Sequence, residues 1–134
     1  MPEKISGGCL CGKARFETTS EPVMQLLCHC TDCQTVSGSA FYTAYIVPLE
    51  SVTLTEGTLA GFAVKSDKGR NNLRRFCQDC GTRLWAELES GIASVNGMAL
   101  DDPTHFNPTH NHRPETAPDW CAMNEVLEVL PVSS

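Results

Sequence analysis

No apolar run in this chain approaches the roughly 20 residues that a membrane-crossing helix needs. The charged opening, MPEKISGG, lacks the apolar core of a secretory signal. These absences make a cytoplasmic location the expectation and leave no role for a membrane. Basic residues are also scarce: Lys and Arg number 10 against 16 Asp and Glu, for a formal charge of −6. A surface of that sign repels phosphate backbones and argues against nucleic acid as a partner. Internal repeats and low-complexity stretches are missing too. With 134 residues, 41% of them hydrophobic, the chain predicts one packed domain spanning 1–134.

The few positive charges are not evenly spread. Lys65, Lys68, Arg70, Arg74, Arg75 and Arg83 lie in one segment. Such a run is ordinarily a solvated face. Its functional reading is a local patch for a small anion, with Arg70, Arg74 and Arg75 as the candidate substrate contacts.

Short segments rich in β-formers, separated by Gly, Pro, Asn and Asp, predict an all-β domain of small antiparallel sheets. The expected strands are KARFETT (13–19), FYTAYIVP (41–48), SVTLTEG, TLAGFAVKS, NLRRF, TRLWAEL and GIASVNGM, with NEVLEVLPV as a weaker last one. VMQLLCHCTDCQTVSG has room for a helical turn but is too broken for a long helix. DDPTHFNPTHNHRPETAPDW reads as a long, ordered loop, stiffened by prolines at 103, 108, 114 and 118.

What the chain does have is cysteine, eight of them. A reducing cytosol disfavours structural disulfides, so metal ligation or thiol chemistry is the better reading. Cys77 and Cys80 form a C-x-x-C knuckle followed by glycine, which aims two thiolates at one point. Zinc takes four ligands in a tetrahedron, and GGCLCG is the obvious donor of the other two. Cys9, Cys11, Cys77 and Cys80 are therefore expected to hold a zinc that clips the N-terminal strand to the middle of the chain. The competing redox-dithiol reading needs a strand–helix βαβ setting, which the pattern lacks.

Cys28, Cys30 and Cys33 form C-x-C-x-x-C, three corners of a second tetrahedron. A structural zinc is closed, whereas a catalytic one keeps a position open. Spacing alone leaves the fourth corner undecided. Cys121, beside Trp120 in what reads as a core strand, is expected to pack rather than ligate. His29 is expected to point away from the metal its neighbours face. His105 reads as an exposed loop residue; His110 and His112 stay open between that role and an acid–base group over the metal.

Taken together, GGCLCGKARFE, CHCTDCQTVSGSAFYTAYIVP, EGTLAGFAVKSDKGRNNLRRFCQDCGTRLW and DDPTHFNPTHNHRPETAPDW resemble the glutathione-dependent formaldehyde-activating enzyme family, which shares its domain with centromere protein V. The resemblance covers nearly the whole chain. It implies a β-tent fold and a structural zinc on Cys9, Cys11, Cys77 and Cys80. It also implies a second, catalytic zinc on Cys28, Cys30 and Cys33. The implied activity is that of a carbon–sulfur lyase joining formaldehyde to glutathione. One departure is local: many relatives carry a histidine where this chain has Asn111, between His110 and His112. The alternative reading is a non-enzymatic, zinc-stapled binding module with both metal sites closed, the second by Cys121. A thiol redox enzyme fits less well, since Cys121 alone is unassigned.

Overall fold

The computed structural model describes residues 4–65, 69–122 and 127–130. The fold is mostly β, with eleven strands among the described residues in two sheets. The small sheet is antiparallel, in the order β1 (Ile5–Gly8), β2 (Arg15–Thr18), β5 (Val52–Glu56). In β2 the alternation is strict: Phe16 and Thr18 are buried while Arg15 and Glu17 face outward. A strand shows that period because successive side chains point to opposite faces.

The large sheet has eight strands. Its core consists of β3 (Met24–Cys28), β4 (Tyr42–Pro48), β9 (Ile92–Asn96), β8 (Arg83–Leu88), β7 (Asn71–Cys77) and β6 (Leu59–Lys65) in that spatial order. All of those neighbours pair antiparallel. On the far side of β3 lie β10 (His110–His112) and then β11 (Glu128–Leu130), both parallel pairings. Phe16 meets Trp85 edge-on at 5.8 Å between the two sheets, beside the fully buried Val47, Leu84, Ala93 and Val95. Cys9 and Cys77 belong to this core. A second cluster, Leu26, Cys28, Cys33, Tyr42 and Ala44, sits at the β3–β4 end of the sheet.

Several elements differ from the sequence expectation. β1 and β3 lie where no strand is expected, and β3 is hydrogen-bonded on both sides. The helical turn is a two-turn helix, α1 (Thr31–Ser37), directly after β3. Cys30 caps its start by accepting from the Cys33 N–H, and Gly38 ends it at φ 66°. The segment expected as one long loop contains β10 and two short 3-10 turns, each begun by a proline, Pro103 and Pro114. The expected last strand overlaps β11, but residues 123–126 and 131–134 lie outside the described set. Among the described residues no helix is long and apolar enough to cross a membrane.

Candidate metal centres

All eight cysteines are unpaired, and seven gather into two clusters. In the first, the sulfurs of Cys9, Cys11, Cys77 and Cys80 all lie within 4.8 Å of one another. Cys9 follows β1, and Cys77 ends β7 and opens the knuckle. The Cys77 N–H donates to Thr82 O at 3.0 Å and the Gly81 N–H to Cys77 O at 2.9 Å, closing the turn. Backbone N–H groups also donate to sulfur, Ala14 to Cys9 at 3.3 Å and Asp79 to Cys77 at 3.4 Å. Such donors favour the thiolate form. Separations of 3.5 Å (Cys9–Cys11) and 3.7 Å (Cys11–Cys77) suit a tetrahedron of metal–sulfur bonds near 2.3 Å, whose edges are about 3.8 Å. Four thiol donors at that spacing fit zinc.

Thr82 is a part of this centre that the spacing argument missed. Its hydroxyl accepts from the Leu10 N–H at 3.1 Å and lies 3.2 Å from the Cys80 sulfur. That contact, with the Thr82 backbone, lowers the Cys80 thiol to about 5. Cys11 receives a backbone bond from Lys13 that favours ionisation, but the neighbouring Cys9 and other thiols outweigh it and push Cys11 up to about 12.

The second cluster joins Cys28, Cys30 and Cys33, again within 4.8 Å. Cys28 ends β3, Cys30 caps α1, and Cys33 is the one buried residue of that helix. Hydrogen bonds from the Cys28 and Cys33 thiols hold Cys30 down to about 2, with the Arg74 charge helping. The same contact with Cys30 pushes Cys28 up to about 12, and Cys28 and Cys30 push Cys33 well above the ordinary thiol range. The three sulfurs thus compete for one negative charge. A cation at their centre would relieve that competition, so the donor set fits a metal here too.

Cys121 does not join the triad. It is half-buried, with its sulfur 3.8 Å from the Ala122 carbonyl. The expectation of a core strand around it is overturned: no strand covers 120–122, and Trp120 is 78% exposed. The group against the triad is His112, whose Nδ1 lies 3.4 Å from the Cys28 sulfur. The register explains this, because His112 pairs with Cys28 across β10–β3, and Cys28 pairs with Tyr42 across β3–β4. Paired residues share a face of a sheet.

His29 does point away from the cysteines. It is buried and packs edge-on against Phe41 at 5.7 Å, and its Nε2 meets Asn111 Oδ1 at 3.0 Å. The His29 N–H donates to His112 O, and the His29 carbonyl accepts from Gln34 and Thr116. Asn111, facing opposite to His110 and His112, thereby locks the tail onto the metal-binding turn. His110 bonds Thr109 at 2.8 Å and pairs with Glu128 at 3.1 Å, while His105 lies 3.9 Å from Asp102.

The three candidate arginines separate. Arg74 is buried, with no acceptor for its Nε, on the row Arg74–Ala86–Ser94–Ile46 that crosses the sheet on the Tyr42 face. Arg75 faces the other way, with its Nε 3.3 Å from Glu87. Arg70 is exposed just before β7.

Comparison with known proteins gives the family and the fold. The profile of the glutathione-dependent formaldehyde-activating enzymes matches residues 4–115, a span containing both cysteine clusters. A Penicillium rubens protein provisionally named a glutathione-dependent formaldehyde-activating enzyme is 32% identical over 83 residues, 60% of this chain and 42% of that relative. The match therefore spans less than half of the relative's length. A crystal structure of a Rhodobacter sphaeroides protein shares the fold at a TM-score of 0.57 and 20% identity, covering 72% of this chain and 87% of that one. On the breadth of the profile match, the chain belongs to the glutathione-dependent formaldehyde-activating enzyme family.

Proposed function

We propose that this chain is a single-domain, zinc-dependent enzyme of carbon–sulfur chemistry. It would take a glutathione-like thiol and a small aldehyde such as formaldehyde at Cys28, Cys30 and Cys33. The observation that supports this most directly is a donor set of three sulfurs that Cys121 does not complete. The four-cysteine centre, by contrast, has a full set of protein ligands and suits a structural zinc.

A zinc ion held by the triad would keep an incoming thiol ionised at neutral pH. The chain's own residues supply the rest. Arg74 offsets part of the negative charge of the thiolates. His112 Nδ1 stands beside the Cys28 sulfur, where it can hold the proton that the thiol gives up. In the synthetic direction one carbon–sulfur bond forms at the aldehyde carbon and the carbonyl π bond opens. The thiol proton ends on the new hydroxyl oxygen. The reverse direction is the lyase reaction.

The test is to load the protein with cobalt and titrate glutathione. A change in the thiolate charge-transfer bands, and thiol-dependent consumption of formaldehyde seen by NMR, are the expected results. An unchanged spectrum together with no consumption removes the proposal.

The position of His112 favours one second reading, a closed site of three cysteines and a histidine, suited to a binding module. That reading predicts that His112→Ala sheds the metal of the triad. The enzymatic reading predicts that the metal stays and turnover falls.

A further inference from the structure

A cleft of about 430 Å³ opens between the end of α1, the start of β4 and the turn from Gly81 to Arg83. Its lining includes Ser37, Tyr42, Thr43, Thr82, Arg83 and Asn96, and no carboxylate lines it among the described residues. The cleft is thus free of the acidic side chains that the chain carries in excess. The volume falls within the usual range for small-molecule sites, roughly 300–1,000 Å³.

The cleft adjoins the triad through two elements. Ser37 stands four residues after Cys33 on α1, and residues at that spacing share a helix face. Tyr42, in the lining, is the cross-strand partner of Cys28. Its hydroxyl is committed to the Ser94 carbonyl at 3.1 Å, so it serves as wall rather than donor.

Arg83 is the one cation of this lining. Its guanidinium lies 4.6 Å over the Phe76 ring, and its Nε is buried without an acceptor. Among the described residues it has no salt bridge, unlike Arg15, Arg75 and Arg113. Stacking on an aromatic face fixes a guanidinium while leaving its N–H fork available for a planar anion. Arg74 lies further in, and both arginine charges reach Tyr42.

We infer that this cleft holds a carboxylate of the thiol substrate, with Arg83 as the group that binds it. The inference deepens the proposed function and rests on the triad being a thiol site. A tripeptide-sized thiol spans up to about 10 Å, at roughly 3.3–3.6 Å per residue, so its sulfur and one carboxylate can engage neighbouring sites together. Arg83 is then a specificity residue: it selects thiols that carry an acid and takes no part in bond making.

The test uses the full-length, metal-loaded protein and two probes. The first is S-methylglutathione, whose capped sulfur leaves the carboxylates as its binding groups, followed by calorimetry. Arg83→Gln is expected to weaken it about tenfold to a hundredfold, the worth of a charge-assisted pair. Arg83→Lys should recover part of that loss, and the dimethyl ester should bind wild type and Arg83→Gln alike. The second probe is cysteamine, a thiol without an acid, followed by the cobalt spectrum, with the same response expected in both proteins. Equal S-methylglutathione affinity in wild type and Arg83→Gln overturns the inference, as does its failure to bind wild type. A cysteamine response missing from wild type instead overturns the thiol reading of the triad. Metal content and melting temperature of each variant separate these outcomes from misfolding.

Discussion

Asn111 shows how much one side chain can hold in place. Its Oδ1 is the partner of the buried His29 Nε2, and its strand neighbour His112 reaches the Cys28 sulfur. Replacing it with leucine keeps the bulk and orphans a buried donor, which costs about 1–3 kcal/mol. Urea unfolding of Asn111→Leu should show that loss; a change below about 0.5 kcal/mol would mean that His29 finds another partner. Cysteine substitutions divide differently. Cys33→Ser should lower bound zinc by one per chain, and Cys121→Ala should leave it unchanged, both read by elemental analysis. The triad and each half of the four-cysteine group were legible in the sequence, because the spacing of ligands along a tight turn is a local property; the joining of Cys9 and Cys11 to Cys77 and Cys80 came from the need of zinc for four ligands. Thr82 and Asn111 were not legible: no ligand spacing marks a threonine or an asparagine, and their bonds to Leu10 and His29 reach across 72 and 82 residues.

At the scale of elements, the strands that the sequence pattern revealed are those that alternate, such as β2 with Phe16 and Thr18 inward. β3 escaped although it is central. It is paired with β4 on one side and β10 on the other, but MQLLC is a short, mostly apolar run with no clear alternation of polar residues, and it reads equally well as helix. β10 escaped because HNH is three polar residues whose strand character comes from pairing alone. Turn residues can be ranked by what surrounds them. Gly38 and Gly57 both have positive φ, 66° and 87°. Alanine at Gly38 would meet open space, whereas at Gly57 its Cβ would fall 2.4 Å from the Lys13 carbonyl oxygen. Gly38→Ala should therefore cost about 1–2 kcal/mol of backbone strain. Gly57→Ala should cost more and weaken zinc at the four-cysteine centre, since it displaces the Lys13–Ala14 backbone that bonds Cys9. Equal losses in thermal melts of the two variants would show that the backbone at Lys13 yields freely.

For the whole molecule, the four-cysteine centre joins β1 of the small sheet to β7 of the large one. Chelation should therefore lower the melting temperature, since binding free energy at such a centre is folding free energy. A second tie between distant segments is Asp101, which accepts from Ser6 at 2.8 Å and from the Arg15 guanidinium. Arg15 holds the Asp101 carboxyl below its ordinary range. A depressed carboxyl contributes stability that is present above its unfolded value, near 4, and lost as pH falls through the folded value. Wild type should lose more stability than Asp101→Asn between pH 5 and 3, by a few tenths of a kcal/mol for a half-exposed pair, roughly. Parallel acid titrations of the two would remove Asp101 from that role.

The parallel seat of β10 also orders events during synthesis. Cys28, Cys30 and Cys33 leave the ribosome long before His112, which must travel back to lie along Cys28. Until then β3 has one bare flank, an invitation to pairing with strangers. A nascent chain interrupted between residues 97 and 109 would already contain all seven clustered cysteines. It would have the means to capture metal and an unguarded β3 beside it, so premature termination in that window should give metal-loaded aggregates rather than clean, unfolded fragments.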